Sequence, residues 1–140
     1  MPKVLTLGAN TPSVEYLCKK DKRLAKVIRM VGPISYVPHS ENNTYLFLIH
    51  EVIEQMLTIK AGEKKYKRLE DLCEGNVNPE IVSLLSDEQI ESIGTSRLKT
   101  RCIHEITNTV INGDLNFRKL DIFSDEEIIH ELTKIHGIGK

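Results

Sequence analysis

The stretch Ile135-His136-Gly137-Ile138-Gly139-Lys140, preceded by the capping signal Ser124-Asp125-Glu126-Glu127, decides the fold of this chain. In such a signal the Ser hydroxyl accepts the backbone N–H three residues on, and the Glu carboxylate accepts the N–H of the cap residue. Apolar residues then recur at helical spacing, at Ile128, Ile129, Leu132 and Ile135. The pattern predicts a capped helix that ends in a glycine-flanked turn.

The turn itself predicts a site for an anion. Two glycines around Ile138 allow a tight backbone bend and bring N–H groups close to an external group. Phosphate is the candidate, with Lys140 as a point charge beside it. The alternative is an ordinary C-cap, since short glycine turns commonly end helices.

Composition limits the remaining possibilities. With 140 residues and 40% hydrophobic content, the chain is long enough for one core, and we expect a single helical domain over residues 1–140, with residues 124–140 as the first helix and hairpin of a binding motif. Aromatic residues make up 5% and Trp is absent, which suits helix-on-helix packing. A net charge of −1 excludes a binder that is basic throughout, so any nucleic-acid contact must be local.

Three cysteines, Cys18, Cys73 and Cys102, are far apart and form no CxxC pattern. We interpret them as small buried hydrophobic residues in a reducing compartment, and expect no zinc or iron–sulfur site. The chain shows neither a signal-peptide pattern nor an apolar run long enough to span a membrane. These features predict a cytoplasmic protein without a membrane contact.

Helix boundaries are well marked along the chain. Caps are predicted at Thr11-Pro12, Asp21, Thr58, Asn78-Pro79, Ser86, and Thr95 or Ser96, with a long amphipathic helix from Tyr45 to Leu57. Residues 34–43 are predicted to form a loop. No strand alternation extends beyond residues 3–7, so the predicted fold is all-α.

Three motifs together carry a family resemblance. They are Gln55-Met56-Leu57-Thr58 after the long helix, the turn Ile93-Gly94-Thr95-Ser96-Arg97-Leu98-Lys99, and the terminal hairpin. Over roughly residues 14–140 the chain resembles the N-terminal part of the helix–hairpin–helix superfamily of base-excision DNA glycosylases, closest to the 3-methyladenine DNA glycosylase II branch. The resemblance implies a helical bundle that is truncated after the hairpin. It implies that this bundle binds double-stranded DNA and, in the parent protein, hydrolysis of the N-glycosidic bond of alkylated purines.

The resemblance also implies roles for single residues. Gln55 and Met56, in a turn completed by Leu57 and Thr58, fall where the family inserts a side chain into the gap left by an extruded base. Met56 has an alternative role as the last core residue of its helix.

Two further sets of residues match the motifs. Ser96 and Lys99 match the second turn, with an N-cap and a solvated lysine as the alternative. Gly137, Ile138, Gly139 and Lys140 match the hairpin that holds phosphates, where a monovalent cation on hairpin carbonyls is also implied. The basic run, defined by Lys60, Lys64, Lys65, Lys67 and Arg68, is expected to be a solvated helix face that can flank the DNA backbone.

The chain departs from the family pattern at three places. Glu54 stands where Gly is common and brings a carboxylate close to the first turn, which disfavours DNA unless the side chain points away. His136 replaces the usual Pro. The family's catalytic Asp lies beyond the hairpin, so we assign no catalytic residue here and expect the 140-residue chain to be inactive alone.

Two other hypotheses remain open. One is a non-catalytic DNA-binding helical module. The other is one half of a split protein, which binds a complementary polypeptide or itself through uncovered faces around Ile128, Ile129 and Ile138. The histidines outside the hairpin are scattered, so we expect no metal site.

Overall fold

A computed structural model describes residues 4–37 and 44–139. The chain divides into two compact units, residues 1–42 and residues 43–140. The prediction of one domain over residues 1–140 stays a prediction. No helix in the described part of the chain is long and apolar enough to cross a membrane.

The first unit contains a two-stranded sheet and two helices. Strand β1 (Leu5–Leu7) is followed by α1 (Pro12–Lys20), α2 (Lys22–Val31) and β2 (Ile34–Tyr36). The side chain of Asp21 accepts the N–H groups of Arg23 and Leu24, which confirms it as the cap of α2.

The loop predicted over residues 34–43 is wrong for residues 34–36. These residues pair antiparallel with β1, with Leu5 opposite Tyr36 and Leu7 opposite Ile34. A hydrogen bond of 2.9 Å joins the Thr6 and Ser35 hydroxyls across the strands. Each strand is too short to show alternation, so only the pairing partner stabilises the extended backbone. Residues 38–43 lie outside the described part.

Helices are the regular secondary structure of the second unit within its described residues. Its helices are α3 (Thr44–Glu54), α4 (Ile59–Leu72), α5 (Pro79–Ser83), α6 (Asp87–Glu91), α7 (Arg97–Ile111), α8 (Phe117–Leu120) and α9 (Asp125–Thr133). Buried residues from α3, α4, α6 and α7 form one core around Ile49, Leu69, Ile90 and Ile103. The all-α fold is confirmed, and α8 is a short helix that no pattern in the sequence predicted.

The predicted caps are confirmed where side-chain chemistry specifies them. Both Ser86 and Ser124 form complete capping boxes, with Gln89 and Glu127 as their partners. Of the two candidates before α7, Ser96 is the cap, because its Oγ accepts the Lys99 N–H at 3.2 Å. Thr95 is buried instead, and its hydroxyl lies 3.2 Å from the Ile90 carbonyl oxygen.

The cysteines differ from the prediction at one position. Cys73 and Cys102 are buried, whereas Cys18 is half-buried on a helix that buries none of its residues. Burial raises the pKa of the Cys102 thiol to about 11, and burial also raises the pKa of Cys73. Both behave as small apolar core residues.

Candidate nucleic-acid interface

The first candidate element is the turn between α3 and α4, residues 55–58, which we call the wedge turn. Helix α3 ends at Glu54, three residues before the predicted end at Leu57. It ends there because Met56 adopts a left-handed backbone with φ of 61°. That conformation usually needs glycine and costs a side-chain-bearing residue roughly 1–2 kcal/mol.

Met56 points into solvent from this strained position. Its side chain is fully exposed, which overturns its alternative role as the last core residue of α3. Gln55 beside it is exposed and Leu57 is half-buried. The Thr58 hydroxyl accepts the Ala61 N–H at 3.3 Å, so Thr58 caps α4 as predicted. The turn therefore presents one long apolar side chain, that of Met56, which no described residue covers.

Lys99 holds the wedge turn from the neighbouring helix. Its Nζ donates to the carbonyl oxygens of Ile53 at 3.0 Å and Gln55 at 2.6 Å, both at the C-terminal end of α3. These carbonyls lack partners within the helix, and a cation satisfies both their hydrogen bonding and the negative end of the helix dipole. Burial lowers the pKa of Lys99, and the nearby charge of Lys65 lowers it further. The predicted alternative of a solvated lysine is therefore wrong.

Glu54 packs against His50 of its own helix and against Gly62 of α4. Its Oε2 lies 3.4 Å from His50 Nδ1, and its aliphatic stem packs over Gly62 of α4. A Cβ at position 62 would overlap Glu54 Cγ, so Gly62 provides the space in which the carboxyl side chain lies. The carboxylate that the sequence placed close to the turn is accommodated by a glycine on the next helix.

The second turn, residues 93–96, is held by the basic run of α4. Lys65 Nζ donates to the Gly94 carbonyl oxygen at 2.5 Å, and Arg68 donates to the Ile93 carbonyl oxygen at 3.1 Å. Lys67 pairs with Asp71 at 3.0 Å on another side of the helix. Two members of the basic run, Lys65 and Arg68, thus hold the second turn, which the sequence did not indicate.

The third candidate element is the hairpin, residues 135–139. Helix α9 ends at Thr133 with Lys134 as its C-cap, so the glycines lie beyond the cap and are not its C-cap. Ile135 is buried in the core, and Ile138 is half-buried and packs against it. The Ile138 N–H donates to the Ile135 carbonyl oxygen at 3.2 Å and closes the bend.

Gly137 is required at its position for two reasons. Its φ is +96°, and a Cβ there would lie 3.1 Å from the Cβ of Cys102 and 3.2 Å from its Sγ. Gly139 differs, because a Cβ at that position meets no atom within 4 Å. The first glycine therefore fits the hairpin against α7, while the second leaves its backbone open to solvent.

Glu105 of α7 fastens the hairpin and was missed by the sequence analysis. Its Oε2 accepts the His136 N–H at 2.7 Å, while its Oε1 accepts from Arg101 Nε at 3.2 Å. A proline at position 136, as the family pattern has, offers no N–H. The only sequence signal was the i,i+4 pair with Arg101, which is typical of a solvated helix face.

The N–H groups of Gly137 and Gly139 have no partner among residues 4–37 and 44–139. Both glycines are exposed, so these donors face solvent at the hairpin. Lys140, predicted to lie beside them, is outside the described residues. The structure thus provides two backbone donors where the sequence predicted an anion site.

Helix α7 contacts both the wedge turn and the hairpin. Lys99 holds the wedge turn, and Cys102 contacts the hairpin three residues further along, on the same face. Glu105 follows at a rise of roughly 9 Å from Lys99. The wedge turn and the hairpin are therefore held from one rigid helix.

His50 lies close to two carboxylates, a cluster that the sequence analysis did not expect. Potential ligand atoms of His50, Glu51 and Glu54 all lie within 4.8 Å of one another. The His50 ring also lies against the Tyr66 ring in a tilted arrangement, with the ring centroids 4.5 Å apart, and the Glu54 stem packs over Gly62. These contacts explain the cluster as α3–α4 packing.

The faces expected to be uncovered are only partly so. Ile129 is 45% exposed, whereas Ile128 and Ile138 are half-buried. Association with a second polypeptide or another copy of the chain stays a prediction.

Known proteins are similar to this chain over most of its length. A DNA-3-methyladenine glycosidase of Bacillus halodurans superposes with a TM-score of 0.78 at 31% identity, covering 96% of this chain and 62% of that one. A 3-methyladenine DNA glycosylase (Mag1) of Schizosaccharomyces pombe in complex with abasic DNA gives 0.78 at 27% identity, covering 92% and 65%. The alkylbase DNA glycosidase-like protein mag2 of the same yeast is 24% identical over 90% of this chain.

These similarities confirm the resemblance to 3-methyladenine DNA glycosylases and are consistent with the helix–hairpin–helix superfamily. No protein-family model matches the chain. The chain spans 61% of the length of the curated relative and 62% and 65% of the two solved glycosylases.

Proposed function

We propose that this chain is the DNA-engaging part of a base-excision DNA glycosylase of the 3-methyladenine type. The exposed, left-handed Met56 carries the proposal, because a long apolar side chain held in solvent at an energetic cost is explained by a partner that covers it. The reaction of the whole protein would be hydrolysis of the N-glycosidic bond of an alkylated purine. All the roles that we assign within this chain are binding roles.

Met56 acts as the wedge in this proposal. When a damaged base leaves the stack, the duplex loses stacking that costs a few kcal/mol. A flexible apolar side chain inserted between base pairs offsets part of that loss. Gln55 is exposed beside Met56 and offers amide groups to the base left unpaired.

The hairpin binds the DNA backbone in this proposal. The N–H groups of Gly137 and Gly139 face solvent and suit a phosphate oxygen. A monovalent cation at the hairpin carbonyls would fit the same site. None of the described residues donates to the carbonyl groups of His136 and Gly137.

Binding to a duplex that contains a tetrahydrofuran abasic analogue tests the proposal. The chain is expected to prefer this duplex over the intact one by about tenfold, since the gap removes the cost of extrusion. Met56→Ala is expected to reduce that preference while leaving affinity for intact DNA unchanged. Leu98→Ala is a matched control, because Leu98 is also an exposed apolar residue, 66% exposed, on the neighbouring helix.

Equal affinity of the wild-type chain for both duplexes, or an unchanged preference in Met56→Ala, would contradict the proposal. An assay of base release from alkylated duplex DNA measures a separate property. Release above background would overturn the expectation of inactivity without affecting the wedge.

A further inference from the structure

Among the described residues, Lys99 is the one whose side chain donates a hydrogen bond to the backbone of the wedge turn. Its ammonium bridges the carbonyl oxygens of Ile53 and Gln55, one residue on the helix and one in the turn. Met56 follows immediately and takes the left-handed conformation. The bridge thus fixes the direction in which the chain leaves α3.

The backbone hydrogen bonds of the wedge turn leave the Gln55 carbonyl oxygen without a donor. The Leu57 N–H donates to the Glu54 carbonyl oxygen at 3.0 Å, and Thr58 caps the next helix. Neither bond involves the Gln55 carbonyl, which Lys99 satisfies at 2.6 Å. Without that cation, the carbonyl is free to rotate toward water, and the cost of a left-handed Met56 would favour an ordinary backbone conformation.

Lys99 also has little freedom to contact a phosphate. It is half-buried, its ammonium donates to two carbonyls, and its stem starts from the first turn of α7. Two of the three N–H donors of the ammonium are thus used on the protein. The DNA contact at Lys99 stays a prediction beside this role within the protein.

We infer that Lys99 is a positioning residue that holds Met56 outward and so makes the wedge turn competent to fill a vacated base stack. This inference rests on the proposed function for its DNA consequence. It extends that function because Lys99, which belongs to the second turn motif, is assigned the role of positioning Met56 in the wedge turn. It also predicts that the two motifs act as one unit through α7.

Lys99→Met tests the inference, because methionine preserves the length of the stem and removes the donor. The preference for abasic over intact duplex is expected to fall about fivefold to tenfold, as in Met56→Ala. The double variant should lose no more than Met56→Ala alone, since the wedge is already absent. Lys99→Arg, which keeps a cation within reach, should recover most of the preference.

Lys65→Met is the matched control. Lys65 is also an ammonium that donates to a turn carbonyl, that of Gly94, but it does not touch the wedge turn. Its variant should keep the abasic preference even if its stability falls by a similar amount. A loss of preference in both variants would overturn the specific role of Lys99.

The salt dependence of binding separates positioning from a direct phosphate contact. Removing a phosphate contact lowers the slope of log affinity against log salt by about 0.9 and weakens intact and abasic duplexes alike. A positioning residue leaves that slope unchanged. A lower slope in Lys99→Met would therefore overturn the inference.

A measurement without DNA makes the inference independent of the proposed function. Amide hydrogen exchange should become faster at residues 55–57 in Lys99→Met and at residues 94–96 in Lys65→Met. If wild-type protein shows no abasic preference but the exchange pattern appears, the proposed function fails while the bridge stands. Unchanged exchange at residues 55–57 would overturn the bridge itself.

Discussion

The wedge turn and the hairpin are held on the same helix by side chains of opposite charge. At the wedge turn, the Lys99 ammonium bonds to carbonyl oxygens at the end of α3. At the hairpin, the Glu105 carboxylate accepts the His136 N–H. A helix end exposes acceptors and a glycine bend exposes donors, so each needs the opposite partner.

The wedge turn and the hairpin therefore differ in the chemical groups that they leave free to contact a partner. Lys99 uses two of its three ammonium donors on the protein, and the wedge turn presents an apolar side chain. Glu105 satisfies one N–H of the hairpin, and the exposed donors of Gly137 and Gly139 remain available. One element is suited to the base stack and the other to the phosphate backbone.

The largest expected effect comes from disrupting the hairpin and leaving the wedge turn intact. Gly137→Val should lower affinity for abasic and intact duplexes alike by about tenfold or more, because the left-handed backbone and the contact with Cys102 both oppose a side chain. Fluorescence anisotropy with both duplexes measures this. Retained affinity in a folded Gly137→Val protein would refute the assignment of the hairpin.

Gly139→Ala is the stability control for that variant. Its Cβ meets no atom within 4 Å, so its free energy of unfolding should stay within about 0.5 kcal/mol of wild type. Thermal unfolding compares the two glycines directly.

Alkaline pH should loosen the contact between α3 and α7 at the end away from Lys99. Tyr45 donates to the Thr107 hydroxyl at 2.8 Å, since that hydroxyl donates to the Ile103 carbonyl oxygen. Burial raises the pKa of Tyr45 to about 12, with the Thr107 hydrogen bond acting in the opposite direction. The unfolded chain ionises near pH 10, so this contribution is complete below that pH and is lost between about pH 10 and pH 12.

The expected loss is about 2 kcal/mol of unfolding free energy over that range. Tyr45→Phe, which cannot ionise, should show a flatter dependence on pH. Tyr16→Phe is the control, because Tyr16 is 59% exposed. Urea unfolding at several alkaline pH values measures all three proteins, and identical slopes would show that Tyr45 is not responsible.

A smaller effect is expected from the Glu105–His136 bond. Glu105→Ala should cost about 1 kcal/mol in the wild-type background and clearly less in His136→Pro, where the N–H is absent. A double-mutant cycle on thermal unfolding measures the coupling. Strict additivity would mean that Glu105 stabilises the chain through Arg101 and not through the hairpin.

The smallest effect concerns Cys102 as a reporter of the hairpin. Its thiol is buried under Gly137, and its pKa is raised to about 11, so alkylation at pH 8 should label half-buried Cys18 first. Lys99→Met should change the Cys102 rate by no more than about twofold, because it opens a different turn. A large increase would show that the two elements open together.

The sequence predicted those elements whose chemistry is local. Both capping boxes, the Asp21 cap and the Thr58 cap depend on side chains within three residues of the groups they bind. The three motifs, each a short turn after a helix, carried the resemblance that implied a glycosylase-like helical fold. Strand β2 was missed because its pairing partner lies far away in the chain.

The candidate site shows the same division between local features and long-range contacts. The sequence by itself determined where the turns fall, that Met56 and the glycines belong to them, and that a capped helix precedes the hairpin, because caps and turns are set by neighbouring residues. The tertiary structure alone decided that Met56 is left-handed and exposed, that Lys99 bonds to α3, and that Glu105 accepts from the hairpin. These contacts join residues 31 to 46 positions apart, and no local pattern encodes which distant carbonyl or N–H a charged side chain will reach.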